Sequence, residues 1–461
     1  MPESHLTSSP EPHTQLSAGR AHLLMIAFAC DPHHTMEERN GWHRALAAAE
    51  NFDVTVLTKH DADVNLLQST IPARLKPHLQ FLPVDAGKIY RRCIDKELFF
   101  YHAYRVWQKR AADIAAELNR TKPIDLAHLV SICGYREPGY LWKKLSCPFV
   151  WGPIGGTGNF PLSYLSITDP VGGTFEVVRS AANALQLRTS PRIRRAMLSS
   201  AAVFAASRDA QRDLAKAVRI GIHADLETGI DFDLSSPRGL TDSDQPLKIL
   251  WAGRLRTWKA LPVLLDALAS IKTDTRFELR VLGDGNCLKR WQARARKLGI
   301  DPYVQWIRRP AYRNSLEHYQ WADLFAFTSL RDTSGTGLLE SLATGVPIIG
   351  FDHHGARDIM DSSCAIAVPI DNPQHSVDRF ADSIRGLAFD RSRLKQLSDG
   401  ALRRAQLFTW DRRHAVMEAV YRRLLDSRQP IEAASFMADS PSRVLKHSEC
   451  SDSASEAPLV V

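Results

Sequence analysis

Twice along this 461-residue chain, apolar runs of four to eight residues alternate with amphipathic stretches of helical length. That alternation restricts the fold more than any other feature. Short apolar runs bounded by polar turns read as buried strands, and helices recurring between them predict a parallel sheet covered by helices. The first series of expected strands is 23–30, 53–58, 79–84, 124–130, 148–151 and 202–206. A polar stretch rich in Ser, Pro and Asp then intervenes, and a second series follows at 247–252, 278–282, 304–307, 324–328, 346–351 and 365–368. Helices are expected at 260–271, 288–298 and 337–344 and, closing the chain, at 378–389, 392–407 and 411–426. The reading is therefore α/β, with two Rossmann-like domains: 21–235, a linker at 236–246, and 247–408. Residues 409–430 are expected as a terminal helix packing back on the first domain. Residues 1–20 and 431–461 lack periodicity and are expected as disordered tails.

No apolar run approaches the roughly 20 residues of a membrane-spanning helix, and residues 1–20 lack a secretory pattern, so a cytoplasmic chain is expected. The seven cysteines are scattered without a C-x-x-C pair, which argues against disulfides and zinc. The net charge of +8 is unevenly spread: residues 86–122 hold nine Lys or Arg against four acids, and residues 179–219 hold nine against two. Phosphate-bearing partners, anionic lipid or nucleic acid suit such a surface, as does a simple solvated face. Phe99, Phe100, Tyr101, Tyr104 and Trp107 interleave the first basic stretch, where a core-facing helix stripe explains them as well as a membrane would.

Neither a phosphate-binding G-x-x-x-x-G-K-[ST] loop nor H-E-x-x-H occurs. Gly283-Asp284-Gly285 follows a strand, but Leu288 stands where a dinucleotide fingerprint needs a third Gly, so a tight turn is the plainer explanation. The D-x-D triplets Asp61/Asp63, Asp231/Asp233 and Asp242/Asp244 lie in polar turns and predict no metal site. Two other segments carry more chemistry. In the first, a strand ends at Gly253, and Arg254 and Lys259 follow in the loop before a helix. Two cations and helix N–H groups at the carboxyl edge of a sheet suit a diphosphate, although solvated loop cations are an equal alternative. In the second, a strand leads through Asp332 and Gly335 to a short apolar helix bearing one carboxylate, Glu340. Burying a lone carboxylate costs several kcal/mol unless it is partnered, so a ligand hydroxyl or an internal cation is expected beside it.

At these segments the chain resembles the retaining nucleotide-sugar glycosyltransferases of family 4, which have the GT-B fold of two Rossmann-like domains facing across a cleft. The matching residues are G-R-L-x-x-x-K (Gly253 to Lys259), an acid-x7-acid region with an E-x-L-A-x-G-x-P tail (Asp332 to Pro347), and the turn Thr228-Gly229-Ile230-Asp231. Cys30-Asp31-Pro32, Gly41-Trp42 and the loop from Trp151 to Gly156 resemble a subgroup associated with surface-polysaccharide synthesis. The resemblance implies that Arg254 and Lys259 hold the donor diphosphate, that Glu340 binds the nucleotide ribose, and that Asp332 meets the sugar. It also implies that backbone around Gly253, Gly335, Thr336, Gly337 and Leu338 approaches the donor. His128, at a strand end, is expected to face the donor sugar or to sit satisfied in the core. Gly41, Gly155 and Gly156 are expected in acceptor-side loops. Three departures stand out: Asp332 replaces the family's Glu, Ala260 its Gly, and Thr35-Met36-Glu37 its Gly-Ser-Glu.

The resulting expectation is a hexosyltransferase that needs no cofactor and no metal. Its partners would be a nucleotide-sugar donor, a lipid-linked or saccharide acceptor and an anionic membrane at the inner face of the plasma membrane, not nucleic acid. A GT-B epimerase or phosphorylase and a catalytically silent sugar-nucleotide-binding scaffold are the alternatives.

Overall fold

The computed structural model describes residues 19–33, 36–96, 99–132, 134–230, 244–308 and 312–427. The expected tails apart from Gly19 and Arg20, with Thr35, Cys133, Cys450, Asp231, Asp233, Asp242 and the linker up to residue 243, lie outside these. The chain forms two units, one holding residues up to 159, 177–229 and the segment from Trp410, and the other holding 160–176 and 230–409.

The first unit is built on seven parallel strands: β1 His22–Ile26, β2 Asp53–Lys59, β3 Leu79–Val84, β4 Leu126–Leu129, β5 Phe149–Ile154, β6 Ala202–Ala205 and β7 His223–Ala224. Their order is β3-β2-β1-β4-β5-β6-β7. Each strand is short and apolar because helices cover both faces, so period-two alternation gives way to continuous burial: β1, β4, β5 and β6 are buried at every position. The second unit has six parallel strands, β8 Leu247–Ala252, β9 Phe277–Leu282, β10 Val304–Ile307, β11 Leu324–Phe327, β12 Ile348–Phe351 and β13 Ala365–Val368, in the order β10-β9-β8-β11-β12-β13. In each sheet the order reverses beside the first strand, the doubly wound arrangement whose crevice lies at the carboxyl ends of the strands.

Residues 160–176, which the sequence reading assigned to the first domain, group with the second unit. Phe160 and Tyr164 are buried in its core. Tyr164 packs edge-on against Phe351 at 5.7 Å, and its hydroxyl lies 2.5 Å from Ser376 Oγ. Asp169 accepts from Thr257 Oγ1 at 3.2 Å and pairs with Arg290 at 2.5 Å.

The terminal helix Trp410–Ser427 groups with the first unit. Arg413 on this helix pairs with Asp225, which is fully buried, and Arg44 approaches the same carboxylate at 3.8 Å while donating to the Leu226 carbonyl at 3.1 Å. Trp410 stacks with both His43 and His414, with ring centroids 4.8 and 5.3 Å away.

Burial, with Arg39 beside the one ring and Arg44 and His43 beside the other, lowers the pKa of His43 to about 4 and of His414 to about 3. A histidine with a depressed folded pKa contributes stability above its unfolded value near 6.5, and that stability is lost as pH falls toward the folded pKa. Thermal melts should therefore drop between pH 7.5 and 5, each such histidine costing about 2 kcal/mol at pH 5. His414→Phe, which keeps the stack and removes the titration, should flatten the slope; an unchanged slope would mean that His414 is protonated in the fold.

Candidate functional site

The carboxyl edge of the second sheet carries both segments singled out by sequence. Gly253, just past β8, donates its N–H to the Leu282 carbonyl at 3.0 Å, and Leu255 donates to Asp284 at 2.9 Å. Cys287 returns a bond to the Leu255 carbonyl at 3.0 Å. This lacing requires Gly283 and Gly285, because a Cβ at either would overlap the carbonyl oxygen of Gly253 or Leu255. The Gly-Asp-Gly triplet is thus a packing device that holds the Arg254 loop against the next strand's turn. Arg254 itself is exposed, and its side chain has no ion pair among the described residues.

Beyond Arg254 a 3-10 turn, Thr257–Lys259, leads into the helix Leu261–Ile271 through Ala260, which adopts left-handed backbone with φ 44° and ψ 36°. A non-glycine residue pays about 1–2 kcal/mol for that conformation, which accounts physically for the Gly of the motif this segment resembles. The turn is pinned from below. Trp251 Nε1 donates to Thr328 Oγ1 at 2.9 Å, and Thr328 donates to the Lys259 carbonyl at 2.7 Å, so one hydroxyl joins the end of β8, the turn and the end of β11.

The Lys259 side chain lies 5.7 Å above the Phe327 ring and pairs with Asp332. Burial alone would raise the Asp332 carboxyl, but the Lys259 ammonium, His353 and a hydrogen bond from Ser329 hold it below the usual carboxylate range. Gly335, at φ 65° and ψ 67°, caps the helix Thr336–Ala343, and Leu338 N–H donates to its carbonyl at 2.8 Å. The positive end of that helix dipole therefore opens three residues beyond Asp332. Thr336 and Glu340, four residues apart, share one face of the helix, and both are half-buried. Leu338 is fully buried, and a Cβ on Gly337 would sit 2.9 Å from the Tyr319 hydroxyl, so these two positions also serve packing.

Sequence reading missed the neighbour of Asp332. The Arg331 guanidinium makes a two-pronged pair with Glu176 at 2.7 and 2.8 Å and lies 4.2 Å over the Trp258 ring. Glu176 is 1% exposed and is the single acid of the helix Pro170–Thr189. The rule that drew attention to Glu340, a lone carboxylate in an apolar helix, applies to it equally. The pair fixes the direction of the chain into Asp332.

The remaining site expectations lie in the first unit. His128 is fully buried, with Nε2 2.8 Å from the Gly152 carbonyl oxygen and Nδ1 bonded to the Tyr421 hydroxyl. Burial, then the charge of Arg44, lowers its pKa to about 3. With both nitrogens engaged, this is the arrangement of a core histidine. Gly41 lies within the helix Met36–Ala49, not in a loop, and a Cβ there would overlap the Ala29 carbonyl oxygen. Gly155 bridges to Gly134 after β5, and Gly156 turns at φ 81°. Arg179 donates to the carbonyls of Gly158 and Gly156 at 3.0 and 3.4 Å. Among the described residues, no three His, Cys, Asp or Glu side chains converge as a metal would require.

Two doubly wound parallel sheets, with paired charges and a glycine-capped helix at the carboxyl edge of the second, are the two Rossmann-like domains of an α/β protein with the GT-B fold. Residues 236–404, which contain that edge, match the family model of glycosyl transferases group 1. The D-inositol 3-phosphate glycosyltransferase of Jonesia denitrificans is 31% identical over 187 residues, covering 38% of this chain and 42% of the relative. That of Xylanimonas cellulosilytica is 29% identical over 248 residues, 48% of this chain and 57% of the relative. The chain thus spans about half the length of these curated relatives. The fold is also that of the sucrose-phosphate synthase of Thermosynechococcus elongatus, with TM-score 0.64 at 15% identity over 88% of this chain and 100% of that one. The HepE protein of Anabaena, solved with UDP-glucose, superposes with TM-score 0.57 at 14% identity over 87% and 100%.

The two glycine positions should separate packing from ligand approach. A Cβ on Gly253 would meet side chains of Trp251 and Lys259 at 3.6 and 3.7 Å, ordinary contacts, so Gly253→Ala should melt like the parent and lose nucleotide affinity. Gly283→Ala should destabilise the fold itself by about 1–3 kcal/mol, read from denaturant unfolding. Equal melting of both variants would contradict the packing assignment.

Proposed function

We propose that this chain is a retaining glycosyltransferase that moves a hexose from a nucleoside diphosphate to a hydroxyl acceptor, a lipid-linked or saccharide precursor of a surface polysaccharide. The observation that carries the reading is the Lys259–Asp332 pair between a cation-bearing loop and a glycine-capped helix N-terminus. It lies inside the segment that matches glycosyl transferases group 1.

In this reading the donor diphosphate takes Lys259 over from Asp332, and Arg254, already exposed, closes on the same phosphates. The cations and the helix dipole then oppose the negative charge that grows on the departing diphosphate, the part a divalent ion plays in other transferases. Asp332, released from Lys259, turns to the sugar hydroxyls, and Glu340 accepts from the ribose. Arg331, held by Glu176, keeps Asp332 in register throughout. His128 is left as a packing residue. The uridine nucleotide of the Anabaena protein makes UDP-glucose the first donor to try.

Lys259→Ala should lower kcat on the order of 10²-fold, because the charge it opposes is largest in the transition state. Glu340→Gln should instead weaken nucleotide binding, as each charge-assisted hydrogen bond is worth roughly 1.5–3 kcal/mol. Asp332→Asn should alter sugar selectivity more than nucleotide affinity. Steady-state kinetics with calorimetric nucleotide titration, in the presence and absence of chelator, measures all three. Near-parental turnover and affinity in both Lys259→Ala and Glu340→Gln would discard the donor site. Affinity without turnover in the parent would favour the silent sugar-nucleotide-binding scaffold.

A further inference from the structure

The helix Pro170–Thr189 is turned inside out in its later turns, residues 177–189, which belong to the first unit. A water-facing helix puts its apolar stripe inward and its polar groups outward. Here the hydrogen-bonding side chains face the protein: Arg179 holds the Gly156 and Gly158 carbonyls, and buried Asn183 donates to Asn159 Oδ1 at 2.9 Å. From Val178 to Leu185 the outward positions are apolar, with Val178 62% and Leu185 63% exposed and Ala181 and Ala184 exposed between them, and Gln186, Arg188 and Thr189 are exposed at the helix end. In the following helix, Pro191–Leu198, Leu198 is likewise 56% exposed.

The charges that residues 177–208 add here have one sign. Arg188, Arg194 and Arg195 are exposed and make no ion pair among the described residues. No Asp or Glu occurs between Glu176 and Asp209. The nearby carboxylate, Glu137, is 1% exposed and already shared between Arg105 and Arg192, at 3.1 Å to Nε of the former and 2.9 Å to Nη1 of the latter. That shared carboxylate draws the two basic stretches of the sequence together. It ties the helix Phe100–Thr121, with Tyr101 53% exposed near its start, to the helix Pro191–Leu198 through those two side chains. Tyr104 and Trp107 of the same helix are fully buried, so the aromatic stripe divides between core and surface.

We propose that this face of the first unit lies on an anionic lipid bilayer, with Val178, Leu185 and Leu198 entering the headgroup boundary and Arg188, Arg194 and Arg195 meeting lipid phosphates. An apolar surface whose two helices carry exposed guanidinium groups and, from residue 177 to 208, no carboxylate is complementary to such a bilayer. Its own copy would bring like charges together. The inference stands on this surface alone and is independent of the donor site.

The full chain should co-sediment with vesicles of equimolar phosphatidylcholine and phosphatidylglycerol, more weakly with phosphatidylcholine alone, and less as salt rises. Replacing the three arginines with Ala should reduce partitioning on the order of 100-fold. The triple change Val178→Ser, Leu185→Ser and Leu198→Ser should reduce it about tenfold or more even at low salt. Both triple variants change exposed side chains and should melt like the parent, which separates lost binding from lost folding. Absence of parental binding to the anionic vesicles, or undiminished binding by the serine variant, would overturn the proposal. Concentration-dependent self-association abolished by the serine changes, without vesicle binding, would overturn it too and assign the face to a second copy.

Discussion

One buried carboxylate, Asp225, organises the first unit. The chain leaves that unit just beyond it and comes back at Trp410, so the final helix has no short connection to the sheet it covers. Asp225 answers with two cations, Arg413 from the returning helix and Arg44 from the helix Met36–Ala49. Desolvating three charges is costly, and their attraction offsets this only when the partners are well placed. The cluster therefore contributes specificity more than net stability: any other docking of the final helix would leave charge buried without a partner. His128 belongs to the same construction, because its Tyr421 partner arrives on that helix.

The second unit is governed by close approach of backbone. Gly283 and Gly285 bring one turn within hydrogen-bonding reach of the Arg254 loop, and Thr328 ties the Lys259 turn to two strands. Lys259 and Asp332 are consequently held by main chain on both sides. A flexible lysine then loses less conformational freedom on meeting a ligand, and part of the ordering cost is already met in the fold.

Much of this was legible in the residues. Burial on both faces of a parallel sheet writes itself as uninterrupted apolar runs, and every run read in the second half corresponds to a strand within one or two residues at most ends. β7 escaped because two residues carry no period. The grouping of 160–176 with the second unit escaped for a different reason: it rests on contacts such as Tyr164 with Ser376, far apart in the chain, and no change in composition marks it. His128 shows the limit at single residues, since a histidine ending a buried strand has the same neighbours in sequence whether it meets a substrate or a tyrosine. Glu340 and Glu176 illustrate the opposite, for an acid in an apolar helix announces a partner before the partner is known.

The interleaving of the units bears on how the protein comes into being. Among the described residues, a chain made from its amino end reaches the last of the second unit at residue 409, whereas the first still lacks its closing helix. The half synthesised first is therefore finished last. Until Arg413 emerges, Asp225 and Arg44 await their third charge, and the surface meant for the final helix stays open to whatever else is near. On the ribosome the later domain can settle early, while the earlier one remains dependent on the helix that begins at Trp410.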